Sequence, residues 1–175
     1  FDISPEMLEL ASRNMKNDGF VTLQAFNTPG DIPSEHYEVV VLSLVLMTIG
    51  NDADYLAVLG ECCRALRSGG SLIIGVTHPC FRRALFSTHH TEYSLGVGFN
   101  YFENHRPFDV YLRTSKSDRF LEFADFHHNL SYMFSMFNKV GLRVTNLEEL
   151  QDRSIEKSYF NQTASPYMLL VCEKR

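Results

Sequence analysis

The chain has 175 residues, 45% of them hydrophobic and 21% charged, with 10 Gly and 6 Pro, a balance that fits one globular domain and excludes a disordered or collagen-like polymer. Its 16 Lys and Arg against 21 Asp and Glu give a formal net charge of −5, so the long-range field repels nucleic acid and anionic membrane surfaces. The four cysteines, Cys62, Cys63, Cys80 and Cys172, show no CxxC spacing, which argues against a disulfide framework or zinc ribbon and for a reducing, cytoplasmic location.

Phe1-Asp2-Ile3 reads as the end of a strand, with Ser4 as N-cap and Pro5 at the first helical position, where its missing N–H costs nothing. Met7, Ala11 and Met15 recur every fourth residue and predict a helix with one apolar stripe running to about Asn17, stopped by Asp18-Gly19. Phe20 to Phe26 predicts a strand, closed by the turn residues Asn27 to Asp31. The chain opens in the middle of this pattern, with no basic n-region of a signal peptide, and an upstream segment is expected. Val39 to Leu46 is a continuous apolar run, expected as a parallel strand buried on both faces; it extends only to Ile49, far short of the roughly 20 residues of a membrane span.

Asn51 or Asp52 is placed to cap a second helix, with Tyr55, Leu56, Leu59, Cys63 and Leu66 on one face and Gly69-Gly70 as its stop. Ser71 to Thr77 predicts another buried strand. The texture then changes: Phe86 to Phe126 holds ten aromatics in 41 residues, and six of the seven histidines lie between His78 and His128. An inserted lid over about 82–127 is expected, with one hairpin turning near Thr114 to Asp118. Asn129 caps a third helix whose Met133, Met136, Phe137 and Val140 face inward, with Gly141 as its stop. Leu142 to Leu150 and Tyr167 to Glu173 predict two closing strands, the second antiparallel. Strands alternating with helices in this way predict an open, doubly wound α/β sheet in a single domain, residues 1–175.

Ligands of open α/β sheets bind beyond the carboxyl ends of the strands. Asp2 is there an acceptor-only carboxylate suited to both hydroxyls of a ribose, or to assisting a helix N-terminus. Asn27 to Asp31 forms a polar loop suited to an adenine edge or merely to a turn. Ser43 to Thr48 leaves room for a flat or aliphatic ligand, although core packing explains those residues equally well. His78, directly after a strand, is a candidate general base, against the commoner role of a structural hydrogen-bonder.

Together the stretches FDISPEMLELA, YEVVVLSLVLMTIGND, CCRALRSGGSLIIGVTHPCF, FADFHHNLSYMFSMFNKVGLRVTNLEEL and SPYMLLVCEKR resemble the class I S-adenosylmethionine-dependent methyltransferases of small-molecule type. The resemblance implies a mostly parallel Rossmann-like sheet of seven strands with an antiparallel last strand, bound S-adenosylmethionine and a lid over the acceptor. It implies that Asp2 holds the cofactor ribose, that Ile3 packs on adenine, that Thr28 with Asn27 lies beside the adenine amino group, and that Ser43 and Leu44 flank the methionine moiety. The family's first strand and glycine-rich loop are not matched anywhere in the chain; the expectation is a fragment of a longer methyltransferase, inactive by itself.

Methyl transfer is an in-line displacement at a sulfonium-activated carbon, for which alignment and exclusion of water are the main requirements. Where the acceptor carries a proton, His78 is the first candidate base, with His127 or His128 second, and Phe81, Tyr93, Tyr101 and Phe102 are expected to line an apolar acceptor pocket. The expected partner is a small organic acceptor, with no metal, nucleic acid or membrane. Three other readings compete. An acid at a strand tip also suits the NAD of a Rossmann oxidoreductase; the histidines of the lid invite comparison with a metal site; and a degenerate methyltransferase-like domain would act only as a binding module.

Overall fold

The computed structural model describes residues 1–15, 22–26, 30–81, 91–113, 120–150, 165 and 167–175. Its larger sheet has the order β1-β2-β7-β6, built from β1 (Tyr37–Ser43), β2 (Leu66–Thr77), β7 (Tyr167–Lys174) and β6 (Leu142–Leu150). β1 and β2 are parallel, and β7 is antiparallel to both β2 and β6. Three strands therefore point one way and β7 alone opposes them, as the sequence leads one to expect for the closing strand.

Two helices cover this sheet, and each begins where an asparagine side chain replaces a missing backbone acceptor. Asn51 Oδ1 accepts from Asp54 N at 2.9 Å at the start of α2 (Asp52–Ala65), and Asn129 Oδ1 accepts from Tyr132 N at 2.8 Å at the start of α3 (Leu130–Lys139). Such caps contribute about 1 kcal/mol each. Gly141, at φ 80°, ends α3 in the left-handed conformation that favours glycine. Tyr55 and Leu59 of α2 and Met133, Met136 and Phe137 of α3 pack with Leu72, Ile74, Met168 and Leu170 of the sheet into one buried core. Burial of each such side chain is worth about 1.5–3 kcal/mol.

Arg106–Arg113 (β4) and Phe120–His127 (β5) form an antiparallel hairpin, with Thr91–Ser94 (β3) added on the β4 edge. The expected hairpin is thus present, and residues 114–119 at its turn lie outside the described residues. Leu95, Phe108 and Val110 form a small core of their own. This second sheet packs on the connection between β1 and α2 through the Phe126 ring, which occupies the place a Cβ on Gly50 would take.

Three expectations are corrected. β1 is not buried on both faces: Val39 is 51% and Val41 64% exposed on one face, whereas Val40 and Leu42 on the other pack against the main core. The first helix, α1 (Pro5–Asn14), has its Ser4 cap and N-terminal proline, but none of its residues is buried, so its Met7 and Leu10 face solvent. Gly69-Gly70 does not stop α2, which ends at Ala65; β2 starts at once with Leu66, and the glycines lie in the irregular stretch where the β1–β2 register shifts. Of the strand expected over 20–26, the described part makes a single parallel bridge, Asp2 with Ala25.

Candidate active site

β1 ends at Ser43, and Leu44 then takes a left-handed φ of 56° while its N–H donates to the carbonyl of Gly75 at 2.8 Å. That bond ties the tip of β1 to β2, and Ser43 sits opposite Gly75 in the register. The chain turns through a short 3-10 segment, Leu46–Thr48, before α2 begins. A small cavity of about 10 Å³ opens at these strand ends, lined by Leu46, Met47, Tyr55, Val76, Thr77, His128 and Met133. Its walls are mostly apolar, and its polar groups come from α2, β2 and the residue pair that joins β5 to α3.

His128 is buried and its ring stacks on Tyr132, centroids 5.1 Å apart and planes 18° from parallel. Tyr55, at 5.0 Å, and His105, at 5.1 Å, are further ring neighbours. From His128 a file of polar groups runs outward: His128 Nε2 lies 3.3 Å from His105 Nδ1, and His105 Nε2 lies 2.7 Å from Asp52 Oδ1. Tyr132 Oη donates to the same Asp52 oxygen at 2.9 Å. The hydrogen bond from Tyr132, followed by that from His105, holds the Asp52 carboxyl below the usual aspartate range. Burial, and then the Asp52 charge, raises the Tyr132 phenol. Tyr55 is fully buried, its Oη has no hydrogen-bond partner among the described residues, and burial raises its phenol well above the ordinary value. The phenol therefore stays protonated and able to donate.

The other expected site residues are distributed as follows. His78 Nδ1 accepts from Cys80 N at 3.2 Å and its Nε2 lies 2.8 Å from Glu149 Oε1, so one ring nitrogen fixes the turn after β2 and the other ties it to β6, and Phe81 packs on its ring at 4.7 Å. Tyr101 Oη accepts from Leu130 N at 3.2 Å, while the Tyr101 carbonyl is 2.9 Å from His127 Nε2; Tyr101 thus anchors the start of α3. Phe102 is exposed beside it. Tyr93 is on β3 opposite Val110. Asp2 Oδ1 accepts from Ser4 N at 2.8 Å, the helix-assisting role, and Ile3 is 76% exposed. Phe1 meets Tyr37 at the start of β1, whereas Ser43 and Leu44 are at its other end; no described contact brings Asp2 to them. Asn27 and Thr28 lie outside the described residues.

Sequence reasoning did not single out Asp52, His105, Tyr132 and Tyr55 as a group. Asp52 reads locally as a cap candidate and Tyr55 as a core residue. One signal was available: a tyrosine on the apolar face of a helix brings a hydroxyl into the core, where it needs a partner. Among the described residues, no three His, Cys, Asp or Glu side chains are grouped so as to hold a metal ion, and no helix is long and apolar enough to cross a membrane.

Residues 1–74 match a family described as "Methyltransferase domain". No curated protein matches the chain in sequence. Among solved structures, an S-adenosylmethionine-dependent methyltransferase of Methanosarcina mazei superposes with a TM-score of 0.62 at 12% identity, over 99% of this chain and 79% of that one. One from Clostridium acetobutylicum gives 0.61 at 11% identity, over 98% and 72%. A structure from Listeria monocytogenes, also described as an S-adenosylmethionine-dependent methyltransferase, gives 0.61 at 18% identity, over 99% and 77%. Residues 1–74 thus match the methyltransferase-domain family, and the chain as a whole has the fold of the class I S-adenosylmethionine-dependent methyltransferases.

Proposed function

We propose that the protein transfers a methyl group from S-adenosylmethionine to a small organic acceptor. The observation that carries this reading is the methyltransferase-domain match over residues 1–74, which includes Asp2, Ile3, Ser43 and Leu44 at the strand ends. Asp2 fits the cofactor's ribose: Ser4 N occupies Oδ1, and the second carboxylate oxygen has no partner among the described residues. The exposed side chains of Ile3 and Leu44 supply apolar surface for the adenine and methionine ends, and Asn27 and Thr28 are assigned to the adenine edge. When bound, the cofactor supplies the activated methyl carbon.

The second sheet serves as the lid of the acceptor site, excluding water from the cleft, with Phe81, Tyr101 and Phe102 contributing aromatic surface beside it. A small acceptor is favoured by the modest cleft and by the acidic chain, which repels polyanions. Of the two candidate bases, His128 is preferred to His78, because His128 lines the cleft and His78 does not. The test is incubation with methyl-labelled S-adenosylmethionine and a panel of small alcohols, phenols and amines. Label appearing in a small-molecule product supports the reading; label appearing only in protein or RNA contradicts it.

A further inference from the structure

The second sheet is fastened to α3 and to α2 by contacts that differ in how easily they part. At the start of α3, Asn129 N donates to Asn104 Oδ1 at 2.9 Å and Leu130 N to Tyr101 Oη at 3.2 Å. Both bonds satisfy amides that a helix N-terminus leaves without an intrahelical partner. β5 also runs into α3 through two residues, His128 and Asn129, so these contacts lie beside the covalent connection. On the other side the sheet rests on residues 50–52, where the chain enters α2. There the Phe126 ring fills the space beside Gly50, and His105 Nε2 lies 2.7 Å from Asp52 Oδ1.

The contact with Asp52 is the weaker kind. The Asp52 side chain is 57% exposed and that of His105 26%, so water replaces the pair at little cost. His105 also adopts a φ of 61°, a left-handed conformation uncommon for a residue with a side chain. Its N–H is held by the carbonyl of His127 at 2.8 Å, which ties this turn to the end of β5. Its ring packs edge-on against His128, at 5.1 Å, and against Tyr132, at 5.0 Å. His128 is 4% exposed and lines the cavity with Tyr55. His105 thus stands between Asp52 at the surface and the cavity wall.

We propose that the second sheet is a hinged lid, that Asp52 is the latch that holds it shut through His105, and that release of the latch draws His105 off His128 and opens the cavity. The hinge lies at residues 127–130, where Tyr101 and Asn104 stay fastened to α3. Phe126 leaves Gly50 in the same movement. Tyr132 Oη, 2.9 Å from the same Asp52 oxygen, keeps the carboxylate in place when His105 departs, so the lid closes again on a preset acceptor. The motion depends only on these contacts. Its use, to admit a methyl acceptor and then exclude water, rests on the methyl-transfer reading given above.

The test is carbethoxylation of His128 by diethylpyrocarbonate in the ligand-free protein, followed by mass spectrometry of peptides. With reagent dilute enough that reaction is slower than reclosing, the rate reports the open population. Asp52 does not cover His128 directly, so Asp52→Ala acts through the latch. It is expected to speed His128 modification by about 2- to 5-fold, the weight of an exposed pair. Asp52→Asn keeps an acceptor in place and is expected to stay within about twofold of wild type. Gly50→Ala presses on Phe126 at the same seat and is expected to give a larger factor, about 5-fold or more. His78, buried on the β2–β6 side, is the internal standard, and its rate is expected to stay constant. His128 rates equal to wild type in both Asp52→Ala and Gly50→Ala overturn the lid. Acceleration of His78 in step with His128 also overturns it, since general unfolding then explains both. Failure of the wild-type protein to bind S-adenosylmethionine overturns the use in methyl transfer and leaves the motion standing.

Discussion

Gly50 and Gly60 provide a test with opposite signs. Gly50 lies between the 3-10 turn and α2, and a Cβ there would sit 2.5 Å from Phe126 Cε1 and 2.6 Å from Cζ. Carbon atoms pack best at about 3.5–4.0 Å, so the Gly50→Ala methyl requires the ring, and with it the β5 end of the second sheet, to retreat by about 1 Å. Overpacking of this kind costs about 1–3 kcal/mol. For a chain of this length each kcal/mol shifts the melting temperature by about 2–4 °C, so Gly50→Ala is expected to melt roughly 2–12 °C lower. Gly60 is inside α2, and a Cβ there meets nothing within 4 Å. Gly60→Ala removes the backbone entropy penalty of a helical glycine, about 0.5–1 kcal/mol, and is expected to melt about 1–4 °C higher. Urea titrations at unchanged m-value identify both as stability effects. Adding Phe126→Leu to Gly50→Ala should recover part of the loss. Equal melting temperatures for Gly50→Ala and wild type, or a loss with Gly60→Ala, would refute the packing argument.

Phe137→Ala, which empties a fully buried position of the main core, is expected to cost about 3–5 kcal/mol in urea unfolding. Tyr55→Phe removes a buried hydroxyl without a partner among the described residues and is expected to stabilise the ligand-free protein by about 1 kcal/mol, read by urea unfolding. The exposed Cys80 thiol should react first with an alkylating agent at pH 8, because burial pushes Cys62 up to about 11 and Cys172 up to about 12; mass spectrometry of peptides reads the order. Asp52 has a depressed folded-state pKa, so its hydrogen bonds are fully present above the unfolded aspartate value and are lost as pH falls through the lower folded one. Carboxyl carbon NMR should therefore place the Asp52 midpoint below that of an unperturbed aspartate, and Tyr132→Phe should raise it.

Features set by neighbouring residues were legible in the sequence. The Ser4, Asn51 and Asn129 caps, Gly141 as the stop of α3, the β4–β5 hairpin and the inward face of Met133, Met136 and Phe137 all follow from contacts within a turn or two. Burial of β1 did not, because an apolar run such as Val39 to Leu46 carries no record of whether one or both faces of the strand are covered. Gly69-Gly70 misled for a related reason: two glycines serve a helix stop and a shifted strand register equally well. The file of polar groups from Asp52 to His128 was hidden by distance along the chain. His105 reaches Asp52 from 53 positions away, and it does so only because the second sheet is seated over the start of α2. Such a contact has no local period to reveal it. His128 was reached from the sequence by its place before a helix, and its role depends on partners that only the folded arrangement supplies.

The account is tested most directly by calorimetric titration of S-adenosylmethionine and, separately, of NAD into the protein expressed from its complete reading frame. The prediction is saturable binding of S-adenosylmethionine, none of NAD, and affinity weakened about tenfold or more by Asp2→Ala, the loss expected for a hydrogen bond to a charged group. Binding of NAD with no binding of S-adenosylmethionine would contradict the methyltransferase account and return the strand-tip acid to an oxidoreductase reading.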